Sequence, residues 1–80
     1  MTVREAVQIR INELCLEHDL TVNGLSMISG VTQSTVQNIM SGRNHSTTVS
    51  TIKKLCDGLG ITIVDFFQHE IFSDLEQEIQ

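Results

Sequence analysis

A three-residue break, Gly30-Val31-Thr32, separates two short runs of apolar residues at helical spacing, and that interruption leaves the chain few ways to fold. Leu25 and Ile28 stand on one side of it, and Val36, Ile39 and Met40 on the other. Glycine tolerates the left-handed backbone that ends a helix, and threonine caps the next one. The break therefore predicts helices over residues 22–29 and 33–41, joined by a tight turn that makes them cross steeply. Ser26 is small where the two must approach, and Val31 and Val36 fill the space between them. The second helix then projects a polar face: Gln33, Ser34, Gln37 and Asn38.

The same punctuation recurs downstream. Gly42 stops the second of these helices, and Thr48 caps another over residues 49–59, with Val49, Ile52, Leu55, Cys56 and Leu59 inward. Gly60 ends that helix and Thr62 caps a last one over residues 63–68, where Phe66 and Phe67 close the bundle. Upstream, Val7, Ile11, Leu14 and Cys15 predict a helix over residues 3–18, and Thr21 caps its successor. The 80 residues hold no proline, tryptophan or tyrosine, so nothing interrupts these helices and little favours a sheet. The expectation is one small all-α domain over residues 1–68, with its helix-turn-helix at 22–41. An acidic tail, 69–80, carries Ile71, Phe72, Leu75 and Ile79 as a helical or partly helical amphipathic stripe.

Charge argues both ways. The formal net charge is −5, against the usual basic character of chains that meet nucleic acid. Residues 20–64, however, hold Arg43, Lys53 and Lys54 against Asp57 alone, whereas 65–80 hold five carboxylates and no Lys or Arg. A surface for a polyanion belongs in the middle. No run of about 18 apolar residues is present to span a membrane, and the first residues lack the character of a signal peptide. Cys15 and Cys56 lie in apolar helical patterns and read as buried thiols, which points to the cytoplasm. His18, His45 and His69 have no metal-ligand spacing with them, and no base or oxyanion motif accompanies the many Ser and Thr. No metal, cofactor or catalysis is expected.

Leu25-Ser26-Met27-Ile28-Ser29-Gly30-Val31-Thr32-Gln33-Ser34-Thr35-Val36 resembles the helix-turn-helix core of the lambda-repressor-like family, the phage Cro and repressor type. The likeness continues through Ser41-Gly42 and into Thr51-Ile52-Lys53-Lys54-Leu55-Cys56-Asp57-Gly58-Leu59-Gly60-Ile61-Thr62, covering about residues 5–67. It implies a compact five-helix domain whose third helix enters the major groove. Gln33, Ser34 and Asn38 match the family's base-reading positions, and Gln37 shares their face. Their chemistry agrees, because Gln and Asn amides pair bidentately with adenine and Ser serves any base.

The resemblance also implies phosphate contacts at Thr32, Thr35, Arg43 and Asn44. Where members often place a phosphate-holding Gln this chain has Val22, and the neighbouring Asn23 is the substitute candidate. Some members pair an arginine of the first helix with a glutamate at the position of Met40, so Arg10 needs another partner or an exposed position. Function follows as an expectation: a sequence-specific regulator of double-stranded DNA, a repressor of phage type, with no catalytic activity. It would act as a homodimer through the fifth helix and tail, controlled by abundance, dimerisation or a regulatory protein partner. The alternative is a protein-interaction module that keeps the fold and has lost DNA binding, which the acidic tail and Val22 favour.

Overall fold

Threonine hydroxyls start every helix. The computed structural model describes residues 1–42 and 47–79, and in it α1 (Val3–Glu17), α2 (Val22–Ser29), α3 (Gln33–Ser41), α4 (Val49–Leu59) and α5 (Ile63–Phe67) follow in order. Thr2, Thr21, Thr32, Thr48 and Thr62 each accept a hydrogen bond from the backbone N–H three residues on. Each cap satisfies a donor the helix cannot and contributes about 1 kcal/mol. At Thr2 and Thr62 the carboxylates of Glu5 and Asp65 bond back, completing capping boxes. Those bonds, from the backbone N–H first and the hydroxyl second, hold both carboxyls below their usual range.

α2, α3 and α4 occupy the spans that apolar spacing predicts, while α1 and α5 each stop one residue earlier. Among the described residues there is no strand, and no helix is long and apolar enough to cross a membrane. Every helix contributes to one core, in which Phe66, Ile11, Leu25, Ile39, Leu55, Val36 and Cys56 are the largest fully buried side chains. α2 is the hub, packed between α4 and α3. Gly58 makes that packing possible, since a Cβ there would lie 2.8 Å from Ser29 Cα and 2.9 Å from Ile28 O.

Three expectations need correction. Val49 is 64% exposed and not inward. The α4 stripe begins at Ile52, and the first turn overhangs the core, leaving Val49 on the rim of a shallow groove with Val3, Val7 and Phe67. Ile28 is 46% exposed, because α2 turns Leu25 and Ser26 inward in its place. Of the tail, expected as helical or partly helical, only a single 3₁₀ turn, Glu70–Phe72, is helical; beyond it the chain runs without regular structure to residue 79, and Ile79 is 82% exposed rather than part of a stripe. A short segment whose Asp and Glu have no Lys or Arg among them has neither the length nor the opposite charges to sustain a long helix in water. Phe72 instead joins the bundle, its ring 4.9 Å from Phe67, which is itself 4.9 Å from Phe66. Farther on, Glu76 N–H donates to Met1 O at 3.0 Å and its carboxylate lies 3.1 Å from the terminal ammonium.

Arg10 has found its other partner. Its guanidinium donates to Phe66 O at 2.7 Å and Asp65 O at 2.8 Å, with Glu13 at 3.4 Å, so it caps the end of α5. Glu13 also meets His69 Nε2 at 3.0 Å, which ties α1 to the start of the tail.

Candidate nucleic-acid interface

The turn between α2 and α3 is built from Gly30, whose φ of 72° ends α2, and from Val31, which plugs the angle from below. Thr32 then does two tasks. Its oxygen accepts the Thr35 N–H at 3.3 Å, and its hydroxyl hydrogen goes to Thr35 Oγ1 at 2.8 Å. In that bond Thr35 is the acceptor, and its own O–H is not used.

α3 is sharply two-sided. Val36 and Ile39 are buried, whereas Gln33, Ser34, Gln37, Asn38 and Ser41 are all exposed along the opposite face. All four residues expected to read bases thus lie together on one helix face. Gln37 Nε2 donates to Asn23 Oδ1 at 3.4 Å, a link between α3 and the first turn of α2. Asn23 is itself exposed, and its amide keeps two N–H donors. Between Val22 and the face of α3 runs an open groove of about 570 Å³, also lined by Ser34, Gln37, Asn38, Met40 and Ser41.

Thr32 is exposed and Thr35 half-buried at the head of this face. Arg43 and Asn44 lie outside the described residues, as does His45. Lys53 is ion-paired with Asp57 one turn on, and Lys54 is exposed on α4. Among the described residues no cluster of three or more His, Cys, Asp or Glu could hold a metal ion. Cys15 and Cys56 are free and buried, and burial pushes both thiols up from their ordinary value.

Two contributors have no counterpart in the motif. Gln8 of α1 donates its Nε2 to Ile39 O at 2.9 Å, holding the far end of α3. Gly58 lets α4 seat against α2 and so fixes the level at which the whole motif stands. The sequence signal for Gly58 is a glycine inside a helical pattern where alanine would serve better; for Gln8 there is none.

The Cro/C1-type HTH DNA-binding domain matches residues 10–70, which include the turn, the exposed face of α3, and all of α4 and α5. The chain belongs to that family. The fold is also similar to that in the crystal structure of the prophage Lp1 protein 11, to which this chain is 35% identical. The likeness covers 94% of this chain and 99% of that one, with a TM-score of 0.82. No curated protein matches. This chain is thus a Cro/C1-type HTH DNA-binding domain, of the kind carried by DNA-binding regulators.

Proposed function

We propose that this chain binds double-stranded DNA sequence-specifically in the cytoplasm and acts as a transcriptional repressor of phage type. The observation that carries the reading is the uninterrupted polar face of α3, with Gln33, Ser34 and Asn38 exposed on a helix held from both ends. Gln33, Ser34 and Asn38 read base edges, while Asn23, Thr32, Thr35, Arg43 and Asn44 position the backbone. Gln37 divides its amide between that face and Asn23.

One such helix reads only a few base pairs, so specificity calls for two, about 34–36 Å apart on one side of the duplex. A homodimer meets this need. Val64, 71% exposed on α5, supports a contact along that helix, with Phe72 committed to its own bundle. Light scattering on the intact chain and on Val64→Asp should give a dimer and a monomer respectively; a monomer in both, with DNA present, contradicts the dimer.

The function is tested by selecting duplexes from genomic fragments with the purified protein at low and moderate salt. With few cations near α3, about three to five phosphate contacts per protomer are expected, each adding about −0.9 to the log–log salt slope. Retention of no fragment at low salt would instead favour a partner-binding module.

A further inference from the structure

The groove beside α3 differs from its surroundings in chemistry. Val22 and Met40, both half-buried, give it an apolar floor, and Ser34, Gln37, Asn38 and Ser41 supply a polar, uncharged wall. Among the described residues, no Lys, Arg, Asp or Glu lines it. A phosphate entering here would lose water and meet no cation among the described residues, which makes the sugar–phosphate backbone a poor occupant. The major-groove edge of the bases carries one apolar group, the C5-methyl of thymine. Asn38 stands on the same wall, and an asparagine amide pairs with the N6 and N7 of adenine, whose partner is thymine. Gln37 shares that wall but has tied one amide hydrogen to Asn23, so the amide of Asn38 is the less committed of the two.

We propose that Val22 and Met40 form a subsite for the C5-methyl of a thymine, in or next to the base pair that Asn38 reads. Val22 is then a specificity-determining residue, favouring A·T at this place through apolar contact, with no hydrogen bond of its own. The inference rests on α3 being the base-reading helix, and the test separates the two ideas.

A tight-binding duplex is first selected from random sequence with the intact protein. Each thymine is then replaced, one at a time, by deoxyuridine, which keeps every hydrogen-bonding group and lacks only the methyl. Affinities are measured by fluorescence anisotropy at fixed salt. One or two positions, within a base pair of the site whose preference Asn38→Ala relaxes, should weaken about fourfold, the worth of one buried methyl. Val22→Ala should abolish that thymine–uracil difference there and nowhere else; Val22→Gln serves the same end if the alanine variant does not fold. Equal binding of thymine and uracil at every position overturns the subsite while leaving base reading intact. A difference that survives both Val22 variants overturns the role of Val22. Failure to select any preferred duplex overturns the base-reading assignment itself, and the subsite with it.

Discussion

Replacing Gly58 by alanine adds one methyl where α4 crosses α2. That carbon would lie 2.8 Å from Ser29 Cα, 2.9 Å from Ser29 N and 2.9 Å from Ile28 O. All three obstacles are backbone, so no rotamer change relieves them. With carbon contacts ordinarily beginning at about 3.5 Å, the helices must part by roughly 0.7 Å. Helix propensity works the other way, since alanine is favoured over glycine by about 0.8–1.0 kcal/mol inside a helix. Overpacking of a rigid contact costs about 1–3 kcal/mol, with backbone obstacles toward the upper end. The net expectation is a loss of about 1–2 kcal/mol, which lowers the melting midpoint of a domain this size by about 4–16 °C. Circular dichroism melts of Gly58→Ala and Gly24→Ala decide the matter. At Gly24 the nearest atoms to a new Cβ are side-chain atoms, Thr21 Oγ1 at 3.3 Å and Leu20 Cδ2 at 3.4 Å, so that midpoint should hold or rise. A Gly58→Ala midpoint equal to or above the parent would refute the close-approach argument, as would equal losses at both sites.

Arg10→Met should cost about 2 kcal/mol in urea unfolding, because charge-assisted bonds to Phe66 O and Asp65 O vanish and leave α5 uncapped; unchanged stability would mean that water replaces the guanidinium without loss. Cys15 and Cys56 should resist iodoacetamide at pH 8 in the folded protein and react quickly in denaturant, since burial raises both thiols. Labelling at equal rates in the two states would contradict that. Glu5 and Asp65 have lowered carboxyl values in the fold, so their stabilisation is present above the unfolded range near about pH 4 and is lost as pH falls through the folded values. The pair Glu5→Gln and Asp65→Asn should flatten the acid limb of the stability curve; an unaltered limb would assign it to other groups.

The helix boundaries were readable because their causes are local. A threonine oxygen reaches an N–H three residues on, and Gly30, Gly42 and Gly60 take the left-handed φ that ends a helix. Both signals lie within a few residues of the feature they specify. The polar face of α3 was readable for the same reason, as one side of a short helix whose other side is Val36 and Ile39. The long-range ties were not. Arg10 and Gln8 end on backbone carbonyls of residues 66, 65 and 39, and a carbonyl acceptor leaves no mark on residue type. The tail misled because Ile71, Phe72, Leu75 and Ile79 fit helical spacing, yet periodicity alone does not sustain a short acidic helix. Val49 misled in the same way, being in phase with Ile52 but past the edge of the core. Asn23 and Gln37 were each legible as polar surface, whereas their pairing across the turn depends on the crossing of α2 and α3.

The central claim is that the exposed face of α3 reads bases. Its most direct test is the full base-preference profile of Asn38→Ala beside that of the intact chain, measured on the selected duplex and every single-base variant of it. Base reading predicts that preference relaxes at one or two adjacent pairs, with a loss of about 1–3 kcal/mol on the preferred duplex and no change of preference elsewhere. An Asn38→Ala profile and affinity that match the intact chain at every position would contradict it, and would make that face of α3 mere solvated surface.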